Sequence, residues 1–81
     1  MEVEIFTGPG CGYCDKAKAL LKEHELAFSE RDISETEGIR EFRERLPRVK
    51  SIPQIFIDGE HIGGYDDLRS KLGGADRMHS F

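Results

Sequence analysis

The 81 residues predict a single α/β domain, with helices packed on a four-stranded mixed sheet in the order β-α-β-α-β-β-α. Two patterns carry that reading. Residues 1–32 hold an apolar run, a stripe at helical spacing and a second apolar run, which is a βαβ unit with parallel strands. Further on, Gln54-Ile55-Phe56-Ile57 and Glu60-His61-Ile62 flank Asp58-Gly59, a strong local hairpin signal that makes the last two strands antiparallel.

Each element has its own justification. Met1–Thr7 reads as the first strand, with Val3 and Ile5 on one face, and Gly8-Pro9-Gly10 breaks it to form the loop that presents Cys11. From Gly12 to His24, residues Cys14, Ala17, Leu20, Leu21 and His24 share one helical stripe. Leu26–Asp32 reads as the second strand, with Leu26, Phe28 and Ile33 on its apolar side. Ser34-Glu35-Thr36-Glu37 fits a capping box, with Ser34 as N-cap and Glu37 three residues later. Ile39, Phe42 and Leu46 give the second helix a buried stripe, and Pro47 ends it, because the residue before a proline is pushed out of helical geometry. After the hairpin, Gly63-Gly64 opens a turn, and Leu68 and Leu72 mark a short third helix stopped by Gly73-Gly74. The domain is expected over residues 1–74, with 75–81 as a frayed tail.

Composition narrows the function. A formal charge of -4 speaks against non-specific binding to nucleic acid or an anionic membrane surface. Basic residues alternate with acids in Arg40-Glu41-Phe42-Arg43-Glu44-Arg45, which reads as a solvated helix face. No apolar stretch approaches the roughly 20 residues of a membrane span, and Met1-Glu2-Val3-Glu4 has no secretory n- or h-region. A cytoplasmic monomer is the expectation.

Cys11-Gly12-Tyr13-Cys14 contains both cysteines of the chain. Two thiols at this spacing close and reopen a small disulfide ring, and so carry two electrons. Cys11 stands at the helix mouth as the nucleophile, and Cys14, on the apolar stripe, as the resolving thiol. Thiolate is the attacking species. At an ordinary pKa of about 8.5, roughly 3 % of Cys11 would be ionised at pH 7, and a shift to about 6 would raise that to roughly 90 %. The shift corresponds to about 3.4 kcal/mol of thiolate stabilisation. Backbone N–H groups of the first turn and the helix dipole are the expected source, with a Cys14 S–H as a further donor. The alternatives are a zinc half-site or an inert thiol pair, but no second CxxC or His-x-His pair completes a zinc site.

Three motifs in order, Cys11-Gly12-Tyr13-Cys14, Ser51-Ile52-Pro53-Gln54-Ile55-Phe56-Ile57 and Gly63-Gly64-Tyr65-Asp66-Asp67-Leu68, resemble the glutaredoxins over residues 2 to about 72. The resemblance implies a thioredoxin-like fold and a glutathione-dependent thiol–disulfide oxidoreductase. Its substrates would be protein disulfides and protein–glutathione mixed disulfides, and ribonucleotide reductase is a client in the family. Two positions depart from the family pattern: Gly12 stands where proline is usual, and Gly8 where many relatives carry a lysine. A small residue at position 12 is associated, in the family, with a glutathione-ligated [2Fe–2S] cluster shared between two subunits. A dimeric cluster carrier is therefore one alternative, and a redoxin reduced by thioredoxin reductase is another.

The resemblance also implies a glutathione groove. A cis bond at Pro53 would turn the Ile52 backbone toward Cys11, where it pairs with an extended substrate; an edge-strand proline is the plainer reading. Gly64, Tyr65 and Asp66 are implied to hold the γ-glutamyl end, with backbone N–H groups on the carboxylate and Asp66 on the ammonium. Asp66 also fits a simple helix cap. Tyr13 would pack on the tripeptide, or be a half-buried tyrosine. Arg48 or Lys50 suits the glycyl carboxylate, or is ordinary surface charge. His24, His61 and His79 show no spacing that argues for a role, and His24 reads as partly buried packing.

Overall fold

The computed structural model describes residues 1–73. Its elements are β1 (Val3–Thr7), α1 (Gly12–Glu23), β2 (Phe28–Asp32), α2 (Thr36–Arg45), β3 (Gln54–Ile57), β4 (Glu60–Gly63) and α3 (Tyr65–Leu72). They form one four-stranded sheet in the spatial order β2-β1-β3-β4. β1 runs parallel to β2 and antiparallel to β3, and β3 runs antiparallel to β4. The expected element order and mixed sheet are therefore present. Gly74 and the tail expected to fray, with His79, lie outside the described residues.

Strand alternation sends β1 and β3 side chains into two cores. Val3, Ile5, Ile55 and Ile57 pack with Ala17, Leu20 and Leu21 of α1 and Leu68 of α3. On the other face, Phe6 and Phe56 meet Phe42 and Leu46 of α2. The Phe6 ring lies edge-on to Phe42 and Phe56, at centroid distances of 5.3 and 6.1 Å. The hairpin follows from its turn residues: Asp58 and Gly59 have φ of 52° and 83°, as a type I′ turn requires.

Three local expectations are corrected. β2 begins at Phe28, not Leu26, because the Leu26 N–H donates to the Leu21 carbonyl and is used in closing α1. The capping box at Ser34 does not form: Glu35 is the N-cap and makes no side-chain cap bond. The Ser34 N–H instead donates to Asp32 Oδ1 at 2.8 Å, and its hydrogen bonds hold the Asp32 carboxyl below its ordinary pKa.

The third correction concerns the charged segment of α2, which is not wholly solvated. The Arg45 guanidinium bonds Glu4 and Glu41 at 3.0 Å each, and Arg31 adds contacts of 3.3 Å to Glu4 and 2.9 Å to Glu41. The central carbon of the Arg45 guanidinium sits 3.9 Å from the Phe56 ring centroid. Two arginines and two glutamates thus tie β1, β2 and α2 together beside the second core. Gly38 closes the same junction, because a Cβ there would overlap the Asp32 carbonyl oxygen. No helix among the described residues is long and apolar enough to cross a membrane.

Candidate redox site

The loop after β1 delivers Cys11 to the N-terminus of α1, where it is the N-cap. Its sulfur accepts the Cys14 N–H at 3.1 Å, a bond an N-cap oxygen would ordinarily make. Cys11 and Cys14 are joined as a disulfide with Cα atoms 5.2 Å apart, so the pair takes up two electrons on reduction. Cys11 is half-buried, whereas Cys14 is buried under α1. That asymmetry matches an attacking and a resolving sulfur. The backbone N–H donor expected from the first turn is thus present at the Cys11 sulfur.

The two lysines nearest in sequence are engaged with other groups. Lys16 lies over the Tyr13 ring at 5.0 Å, and Lys18 is held by Glu30 at 3.0 Å. Thr7 donates to the same Glu30 oxygen at 2.7 Å, and these two bonds lower the Glu30 pKa while Glu30 raises that of Lys18. A Cβ on Gly8 would sit 2.7 Å from Ile52 Cδ1, the far end of a side chain that can turn aside.

Pro53 is buried and preceded by a cis peptide bond. The Ile52 carbonyl oxygen stands 3.8 Å from the Cys11 sulfur. Beside this junction opens a cleft of about 800 Å³, lined by Tyr13, by Arg48 to Gln54 and by Gly63 to Asp67, with His61. The structure thereby gathers Tyr13, Ile52, Pro53, Gly64, Tyr65 and Asp66 around one cavity. Gly64 lies opposite Pro53, with space for a Cβ only 3.6 Å from the Pro53 carbonyl oxygen. Tyr13 is 58 % exposed, so it forms an open wall, and its ring lies 5.8 Å from that of Tyr65. Arg48 and Lys50 line the cleft and have no ion-pair partner among the described residues.

The helix cap falls to a residue the sequence reading passed over. Asp67 Oδ2 accepts the Gly64 N–H at 3.1 Å, so Asp66 is not the cap and its carboxylate is left facing the cleft. Spacing could have found Asp67, which stands three residues after Gly64 as in half a capping box. A second unforeseen group braces the Pro53 segment. Gln54 Nε2 donates to the Ser51 carbonyl at 3.1 Å, and Gln54 Oε1 meets His61 Nε2 at 2.8 Å. His61 also stacks on Phe56 at 5.1 Å, so the histidine has a role that no spacing announced. His24 is half-buried at the end of α1, as expected.

A family profile described as Glutaredoxin matches residues 3–62. The chain belongs to the glutaredoxin family. It is 46% identical over 66 residues to Glutaredoxin 3 of Escherichia coli strain K12, covering 82% of this chain and 80% of that protein. A probable glutaredoxin of Synechocystis is 42% identical and covers 95% of this chain and 88% of its own. Among solved structures, the glutaredoxin of Brucella melitensis superposes with a TM-score of 0.70 at 43% identity, over 96% of this chain and 87% of that one. Glutaredoxin 1 of Francisella tularensis, in complex with cacodylate, gives 0.72 at 32% identity and 98% coverage of both chains. The thioredoxin-like fold is thus shared, and this glutaredoxin carries the redox-active cysteine pair.

Proposed function

We propose that this glutaredoxin is a glutathione-dependent oxidoreductase that reduces protein disulfides and protein–glutathione mixed disulfides. One observation carries the reading. The helix-mouth sulfur of Cys11 lies 3.8 Å from the Ile52 carbonyl, beside a cleft that offers groups complementary to each end of glutathione. Arg48, which lines this cleft, suits the glycyl carboxylate. The backbone at Gly64 and Tyr65, at the N-terminus of α3, suits the γ-glutamyl carboxylate. The Asp66 carboxylate suits the ammonium, and Tyr13 packs on the tripeptide. The Ile52 backbone, presented beside Pro53, pairs with the extended chain.

The reduced pair works as follows. The Cys11 thiolate attacks the glutathione sulfur of a mixed disulfide, a Cys11–glutathione disulfide forms, and the client thiolate leaves. A second glutathione thiolate then releases oxidised glutathione and restores the Cys11 thiolate. With a protein disulfide, Cys11 forms a mixed disulfide with one client sulfur, and Cys14 displaces it to leave the client dithiol and the Cys11–Cys14 disulfide. Two glutathiones reduce that bond. A reducing compartment sustains this cycle, and we place the protein in the cytoplasm.

A steady-state assay with glutathione and glutathione reductase, set against one with thioredoxin reductase, tests the reading. Turnover is expected only in the first. Cys11→Ser should abolish reduction of both substrate classes, whereas Cys14→Ser should keep much of the mixed-disulfide activity and lose the other. Equal loss of both in Cys14→Ser, or turnover with thioredoxin reductase alone, would overturn the assignment.

A further inference from the structure

A second cleft adjoins the first. It has a volume of about 370 Å³ and lies between α2 and the segment leading to Pro53. Its walls are Ile33, Ile39 and Pro47, and Val49 and Lys50 line both clefts, so the two adjoin. Arg43 and Lys50 stand exposed on its border. Neither has an ion-pair partner among the described residues. No carboxylate lines it, although the chain carries 16 acidic residues against 12 basic ones. An apolar floor bordered by two unneutralised cations is complementary to an apolar side chain flanked by acids.

We infer that this cleft seats an extended segment of the client protein, with a leucine-sized side chain on the floor and aspartate or glutamate against Arg43 and Lys50. The inference rests on the redox reading above, since glutathione would occupy the first cleft while the client occupies the second. The mixed disulfide then spans their junction. From Ile52 at the Cys11 sulfur back to Val49 is three residues, at most about 10 Å of extended chain, so the seated side chain stands about three residues from the client cysteine. Attack of Cys11 on the glutathione sulfur expels a client thiolate whose neighbouring residues the second cleft still holds. The cleft thus selects clients without touching the reacting sulfurs.

The test uses peptides with one glutathionylated cysteine and a leucine between two aspartates three residues away, on either side of the cysteine. Matched peptides replace the leucine by serine and the aspartates by lysines. For one orientation the acidic–apolar peptide should show a KM about fivefold lower than its matched control, the scale of a half-buried leucine with a surface ion pair. Arg43→Glu, a change on an exposed helix position, should raise that KM and lower the KM of the lysine peptide. Turnover of the glutathione–mercaptoethanol mixed disulfide, which is too small to reach the second cleft, should not change. Equal KM values for all peptides in the wild-type protein, or a preference that survives Arg43→Glu, would overturn the inference while leaving the redox reading intact. Loss of turnover with the small mixed disulfide in the wild-type protein would instead remove the redox reading, and the inference with it.

Discussion

The Cys14 backbone N–H lies 3.1 Å from the Cys11 sulfur, making the nucleophile the N-cap of its own helix. A thiolate there gains a charge-assisted hydrogen bond and the positive end of the helix dipole. The two lysines nearest in sequence, Lys16 and Lys18, are engaged with Tyr13 and Glu30.

The reduced protein should therefore show a Cys11 thiol that titrates well below the ordinary cysteine value of about 8.5. Thiolate absorbance against pH in Cys14→Ser measures it directly. Lys16→Met and Lys18→Met should leave the titration nearly in place. A thiol still protonated above pH of about 8 would remove the basis of the proposed chemistry.

Asp66 and Asp67 are adjacent but should fail differently. Asp67→Ala removes the cap on the Gly64 N–H and should cost about 1 kcal/mol of stability in denaturant unfolding. Asp66→Ala should leave stability unchanged and raise the KM for glutathione mixed disulfides. A KM that moves with Asp67 and not with Asp66 would reverse their roles.

The Glu4 carboxyl is held below its ordinary pKa of 4.5, first by its hydrogen bond to Arg45. A carboxylate with a lowered folded-state pKa adds stability above its unfolded value. That stability drains away as pH falls below about 4.5 through the lowered folded value. Glu4→Gln should flatten this acid limb of the stability profile. At pH 7 it should cost about 2–3 kcal/mol, because Arg31 and Arg45 lose their shared negative charge and one accepting oxygen becomes an NH2 donor. Chemical unfolding from pH 3 to pH 7 checks both, and an unchanged acid limb would refute the role given to Glu4.

Gly38, unlike Gly12, inverts the usual expectation of helix propensity, in which alanine gains about 1 kcal/mol over glycine. Gly12→Ala has open space around its Cβ and should be neutral or stabilising. Gly38→Ala should destabilise by about 1–3 kcal/mol, because its Cβ meets the Asp32 backbone and α2 must lift from β2. Thermal unfolding of the two variants decides it; a stabilised Gly38→Ala would mean that α2 rides free of the sheet.

Wherever one physical rule acts over a few residues, this chain was legible before folding. The Asp58-Gly59 turn, the stripe of α1, the order of elements and the three motifs that place it among the glutaredoxins are of that kind. Local competition misled at Ser34, where the Asp32 carboxylate, arriving from the end of β2, took the backbone N–H ahead of the expected box.

Sequence by itself determined the fold class and the identity of the reactive pair, because periodicity and the two-residue spacing of Cys11 and Cys14 are short-range properties. Only the tertiary structure decided which charges are spent and which are free. Strand register and helix docking set Arg45 on Glu4 and Phe56, and His61 on Gln54, across 41, 11 and 7 residues of chain. They left Arg43, Arg48, Lys50 and Asp66 facing open clefts. Electrostatic partnership depends on distance in space, and no pattern along the chain encodes that distance.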